Sequence, residues 1–303
     1  IGKAVAAELV RRGHEVTALA RKPVEIPGCH VVVTDMTQLD TLTQALQGSR
    51  FDAIVSCIAS RSGVSDDAWR VDYGANRNLL SIAREGGIRQ FLLLSAICVQ
   101  RPKLEFQRAK LAFEAELRDS GIDYTIVRPT AFFKSLSGQI QRVKAGKPFL
   151  VFGAGTETAC KPIGEADLAE FMVDCLDHAD ASNATLPIGG PGAAITPREQ
   201  GELLFALTGM PPKFRSVSPR IFKFAAGLIA PVGLVWPAAA RKAELARIGH
   251  YYATESMLVW DEDRQAYDAA ATPETGSVTL RDHYQRMLEH GLAGQELGEQ
   301  KVF

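Results

Sequence analysis

The segment QFLLLSAICVQRPKLEFQRAKLAFEAEL, residues 90–117, constrains the fold more than any other part of the chain. It opens on an unbroken apolar run, which fits a strand buried on both faces of a parallel sheet. It closes on helical spacing carried by Leu104, Ala109, Phe113 and Leu117. In open α/β sheets ligands sit outside the carboxyl ends of the strands. Ser95, Ala96, Ile97 and Cys98 are therefore expected to face a bound molecule, with Lys110 entering from the first turns of the next helix.

The flanking sequence repeats this alternation. Ile1 to Arg12 has helical spacing, stops at Gly13 and gives way to the short apolar run EVTALA. HVVVTD (30–35), DAIVSCI (52–58) and DYTIVRPTAFF (123–133) read as further strands. A helical stripe runs from Leu39 to Leu46, and another from Trp69 to Glu85 ends at Gly86-Gly87. Strand and helix alternating with right-handed crossovers predict an α/β fold, a doubly wound parallel Rossmann sheet. Residues 1–133 form the expected dinucleotide-binding domain. Residues 134–303 form a smaller, mixed substrate-binding region that also contributes to the main domain. A glycine at position 2, a helix, a glycine and a strand make the back half of a dinucleotide-binding βαβ unit. Gly2 is then its last glycine, with the first strand and the earlier glycines of the loop expected upstream of Ile1.

Arg21 and Lys22 follow EVTALA at the place where an acidic residue would bond the ribose hydroxyls of NAD. Two cations there suit a 2′-phosphate, hence NADPH, or else form a solvated loop pair. Asp35 with Met36 borders the adenine in this reading, and Asp35 can equally cap the following helix. Cys57, Ile58 and Ala59 close the next strand on the cofactor side. Pro129, which closes DYTIVRP, and Thr130 and Phe132 in the loop after it are expected to bind the cofactor.

Beyond Lys134 the pattern mixes short strands and glycine turns. EADLAEFMVDCLDH reads as an amphipathic helix, and Thr196 with Glu199 three residues on forms a capping box. Phe224 to Ala240 carries no charge, close to the lower limit for crossing a bilayer. Pro231 and Pro237 argue against a regular spanning helix, leaving a buried or oligomer-facing hairpin, a flap over an apolar ligand, or a membrane-surface contact. The formal net charge of −1 gives no reason to expect nucleic acid as a partner. Five cysteines, odd in number and without C-x-x-C or His/Cys spacing, predict a reducing compartment and no structural metal.

SAICVQRPKLEFQRAKLAFEAEL, IVRPTAFFKSL, CKPI, LPIGGPG, RIGHYYATESMLV and the tail AGQELGEQKVF together resemble the NADPH-dependent divinyl chlorophyllide 8-vinyl reductases of chlorophyll and bacteriochlorophyll synthesis. That family belongs to the atypical short-chain dehydrogenase/reductases, and the resemblance extends from Gly2 to Phe303. It implies NADPH as cofactor and a divinyl chlorophyllide or related magnesium tetrapyrrole as substrate. The expected location is a plastid, or the cytoplasm of a photosynthetic bacterium with possible peripheral membrane contact. Ordinary members of the wider superfamily carry a proton-donating tyrosine four residues before the lysine; here that position is Phe106. A phenyl ring donates no proton, while Lys110 remains to orient the nicotinamide ribose. Reduction of a vinyl group conjugated to a macrocycle requires no oxyanion, and so no such tyrosine. Cys98, Tyr252, Tyr251 and His250 are rival proton donors, with His250 alternatively meeting the pigment's magnesium. Phe106, Phe132 and Phe133 are candidates for an apolar wall against the tetrapyrrole, or for core. Arg128 and Lys134 are candidates for its propionate, or a solvated face. Two rival readings are a non-catalytic NADP-binding regulator and a pigment-handling assembly factor.

Overall fold

A computed structural model of the chain describes residues 1–233 and 236–291. Residues 234, 235 and 292–303, the last including the tail AGQELGEQKVF, lie outside the described residues. In chain order the first elements are α1 (Gly2–Arg11), β1 (Val16–Ala20), β2 (Cys29–Val33), α2 (Leu39–Ala45), β3 (Ala53–Ser56) and α3 (Ser65–Ala68). A π-helix (Trp69–Ala75) leads into α4 (Asn76–Glu85), β4 (Gln90–Leu94), α5 (Glu105–Arg118) and β5 (Asp123–Pro129). Then come α6 (Phe133–Leu136), α7 (Ile140–Lys144), β6 (Phe149–Phe152), α8 (Glu165–Asp177), β7 (Ala184–Ile188), α9 (Pro197–Thr208) and β8 (Phe214–Val217). The last are α10 (Arg220–Gly233), α11 (Pro237–Thr254), β9 (Val259–Asp261), β10 (Ala266–Asp268) and α12 (Leu280–His290).

Two compact units result. The first comprises Ile1–Ser60, Ser65–Pro129 and Glu165–Pro187; the second comprises Arg61–Val64, Thr130–Gly164 and Ile188–Phe303. In the first unit β1 pairs in parallel with β2, and β3, β4 and β5 run parallel in a sheet completed by β7. This is the Rossmann-type architecture expected from the sequence. Alternation along β4 explains why its run is apolar throughout. Phe91 and Leu93 join Leu80, Phe113, Leu117 and Ile126 in one cluster, and Phe91 meets Phe113 at 5.7 Å between ring centroids. Leu92 and Leu94 are also buried, and they point to the opposite face. Gln90 Nε2 donates to the Leu176 carbonyl of α8 at 3.2 Å. Arg12, just past α1, is held between Glu8 and Asp174 of α8 at 2.7 and 2.6 Å.

The pairing differs from a continuous sheet in one place. Among the described residues β1 pairs only with β2 and β3 only with β4. The two strands line a common cavity of about 900 Å³, and every residue of β1 is only half-buried. The helix expected from Trp69 to Glu85 starts earlier, at Ser65, and passes through the widened π turn before α4.

In the second unit β6 and β8 pair in parallel and β9 and β10 antiparallel. The core gathers Phe133, Ile140, Val143, Phe149, Leu204 and Tyr284. Thr196 caps α9 as the sequence predicts, accepting from the Glu199 N–H while Glu199 accepts from the Thr196 N–H at 2.8 Å. Of the uncharged stretch 224–240, residues 224–233 lie in α10 and 237–240 in α11.

Candidate cofactor and active site

The carboxyl ends of β1, β2 and β3 bring together residues far apart in sequence. Gly2, Arg21, Asp35, Met36, Cys57, Ile58 and Ala59 all line the cavity described above. Arg21 and Lys22 are exposed, which suits a solvated loop pair as well as a phosphate contact. Asp35 does not cap α2, whose N-cap is Gln38. Its Oδ1 accepts from both the Thr37 hydroxyl (2.7 Å) and the Thr37 N–H (2.9 Å). Those two bonds, helped by Arg70 and Arg21, hold the Asp35 carboxyl below the usual carboxylate range. A Cβ at Gly2 would stand 3.5 Å from Cys57 Cβ, an ordinary contact, so packing inside the protein leaves space there. Burial pushes the Cys57 thiol up to about 11, against the opposing pull of Lys110. It keeps its proton at neutral pH.

The next strand positions the lysine. After β4 the chain makes a short 3-10 turn (Ile97–Gln100) and enters α5. Gln107, fully buried, ties the two together. Its Oε1 accepts from the N–H groups of Lys103 (2.7 Å) and Leu104 (2.9 Å), and its Nε2 donates to the Cys98 carbonyl at 3.0 Å. One turn on, Lys110 Nζ lies 2.8 Å from Oδ1 of Asp72, with 11% of the lysine side chain and 1% of the aspartate exposed. Asp72 comes from the π-helix, a widened turn of the kind often found at functional sites. Its Oδ2 accepts from the Ser60 N–H at 3.2 Å. Its carbonyl accepts from the buried Asn76 amide at 2.8 Å, and Asn76 Oδ1 accepts from the Ser56 hydroxyl. The ion pair thus fastens α5 to the loop after β3. The contact is an ion pair rather than an aligned hydrogen bond, for Asp72 Oδ1 is buried without a hydrogen-bond partner; an ammonium has three donors to offer a ligand.

Ser95 departs from expectation. It is buried, and its hydroxyl donates to Glu114 Oε1 at 2.6 Å rather than facing outward. Glu114, with no exposed side chain, also binds Arg118 at 2.9 Å and takes a two-pronged contact from Arg128. Arg128 is thereby committed to the interior instead of a propionate. Ala96 is half-buried, while Cys98 is 4% and Phe106, on the lysine's own helix, 8% exposed. Pro129 is buried at the end of β5.

The remaining candidates belong to the second unit. The Thr130 N–H donates to the Ile188 carbonyl at 2.9 Å, and its hydroxyl to the Lys161 carbonyl. Phe132 is half-buried ahead of α6. Phe133 is 3% exposed with its ring 5.2 Å from that of His283, which makes it core rather than a pigment wall. On α11, Tyr251 is 3% exposed and Tyr252 45%, their rings edge to face at 5.7 Å. His250 is half-buried, and its carbonyl accepts from the Thr254 hydroxyl at 2.9 Å.

Asp72, Asn76 and Glu114 are the residues that reading the sequence misses. A signal was present. Asp72 and Asn76 share the helical stripe of Ala75, Leu79, Leu80 and Ala83, and Glu114 follows Phe113 into the core; polar groups on apolar stripes are buried only with partners.

Comparison with known proteins agrees with this geometry. Residues 1–179 match the NAD(P)H-binding family. The NADPH-dependent quinone oxidoreductase of Escherichia coli, solved with NADPH, superposes with a TM-score of 0.65 at 19% identity, covering 94% of this chain and 95% of that one. At that identity the likeness speaks for the fold. The chloroplastic divinyl chlorophyllide a 8-vinyl-reductase of Cucumis sativus is 49% identical, covering 100% of this chain and 77% of the relative. That of Arabidopsis thaliana is 46% identical, covering 99% and 77%. A parallel sheet with an NAD(P)H-binding half, and near-half identity along the whole chain, lead to one conclusion: the chain belongs to the divinyl chlorophyllide a 8-vinyl-reductase family.

Proposed function

We propose that the chain reduces the 8-vinyl group of divinyl chlorophyllide a, or a closely related divinyl tetrapyrrole, to 8-ethyl at the expense of NADPH. The relatives' activity gives the reaction class. The observation that carries the mechanism is the buried pair of Lys110 and Asp72 beside a phenylalanine at the fourth residue before the lysine. NADPH, when bound, supplies the hydride. The residues at the strand ends fit it. The bare helix start at Gly2 suits the pyrophosphate, Arg21 and Lys22 the 2′-phosphate, and Asp35 and Met36 the adenine side. Lys110 binds the nicotinamide ribose with its ammonium donors, and Asp72 fixes where the ammonium stands. Phe106 offers no acid to a carbonyl oxygen, which favours carbon–carbon over carbon–oxygen unsaturation. A plastid location follows for a plant or algal source.

Incubation with NADPH and divinyl chlorophyllide tests this optically. The Soret band moves to shorter wavelength as a double bond leaves conjugation. A pigment bound equally with and without NADPH, and left unchanged, would favour an assembly factor instead. The cofactor assignment has its own test. Arg21→Glu should lower NADPH use at least about tenfold relative to NADH, because a charge-assisted hydrogen bond contributes about 1.5–3 kcal/mol. Steady-state kinetics with both dinucleotides measure this, and an unchanged ratio removes the phosphate contact.

A further inference from the structure

The helix α10 exposes what helices in soluble proteins normally hide. Its inner side is settled by contacts. Phe222 stacks 5.3 Å from Phe152, Ala226 is 7% exposed, and a Cβ at Gly249 of α11 would come within 2.9 Å of the Phe222 ring. That leaves a second apolar row with no cover among the described residues: Ile221, Phe224 and Leu228 are 56%, 70% and 64% exposed. Their spacing of three and four residues stacks them on one stripe.

The charge carried by α10 and α11 is one-sided. Arg220 and Lys223 are exposed on α10, and Arg241, Lys242 and Arg247 on α11. Between Arg220 and Thr254 these five cations face a single carboxylate, Glu244, although the whole chain is at net −1. Large apolar side chains flanked by cations, on a helix of high amphipathicity, match a surface that lies in the headgroup layer of an anionic bilayer. Spanning is ruled out on length. At 14 residues α10 reaches only about 21 Å, short of a hydrocarbon core of about 30 Å, and no described helix is long and apolar enough to cross.

We propose that α10 is a membrane-docking face that seats Ile221, Phe224 and Leu228 among the acyl chains of an anionic lipid surface, with Arg220 and Lys223 on the headgroups. The inference rests on exposure and charge and is independent of the reductase reading. Flotation of the whole chain with vesicles of phosphatidylcholine alone, or with phosphatidylglycerol added, tests it. Binding should be at least about tenfold stronger to the anionic vesicles and weaken as salt rises. The pair Phe224→Asp with Leu228→Asp should remove it, and Arg220→Glu with Lys223→Glu should reduce it several-fold. All four sites are exposed, so circular dichroism should show an unchanged fold. Failure to float with any vesicle, or binding indifferent to both pairs, overturns the proposal. So does a concentration-dependent dimer abolished by the aspartate pair in the absence of lipid binding, which assigns the face to a second copy of the chain.

Discussion

Lys110→Met should lower turnover by about 100-fold or more and, separately, destabilise the protein. The first effect follows from losing the group that holds the nicotinamide ribose in a reactive pose; small misplacements of reacting groups already cost about 100-fold. The second follows from Asp72. With its side chain 1% exposed, the carboxylate has Lys110 as its ion-pair partner, and breaking a buried pair by removing one member costs about 3–5 kcal/mol. The two effects separate in a double variant. Asp72→Asn combined with Lys110→Met leaves no buried charge, and an asparagine oxygen can still accept from the Ser60 N–H. Urea denaturation should then show most of the lost stability restored, while turnover stays absent. Activity returning with stability would move the ribose role away from the lysine.

Glu114→Ala should destabilise the protein as strongly as Lys110→Met, again by about 3–5 kcal/mol. It strands Arg128, whose side chain is 18% exposed, and removes the acceptor of the Ser95 hydroxyl. Ser95→Ala removes one hydrogen bond from the same carboxylate and should cost only about 1 kcal/mol, with turnover within a few-fold of normal. The contrast is informative because a serine at the end of β4 reads from sequence as a ligand contact. A hundredfold loss of turnover in Ser95→Ala, with stability intact, would show that its hydroxyl leaves Glu114 for the cofactor.

Those two variants mark where sequence reading succeeds and where it stops. The strands β1 to β5 and the capping box at Thr196 and Glu199 are legible because short apolar runs and cap chemistry are local. The end-of-strand residues Arg21, Asp35 and Ala59 are legible because a parallel sheet puts all carboxyl ends on one edge, and they share one cavity with Gly2 at the start of α1. The pairing of Lys110 with Asp72 spans 38 positions and depends on a π turn that no periodicity announces. Phe133 shows the complementary failure. An aromatic residue after a strand suits a ligand wall and a core equally well, and only the position of His283 decides for the core. Cys98 and Tyr251 were attractive as proton donors because sequence gives chemistry but not depth; both side chains are nearly fully buried.

The central claim is that this chain delivers a hydride to a carbon–carbon double bond. NADPH carrying deuterium at both nicotinamide C4 positions, incubated with divinyl chlorophyllide a and the enzyme, tests it at the atom concerned by mass spectrometry of the pigment. The expected product is a monovinyl pigment with one deuterium in its new ethyl group. Recovery of unlabelled divinyl pigment with NADPH unconsumed, or deuterium at a carbonyl-derived carbon instead, contradicts it.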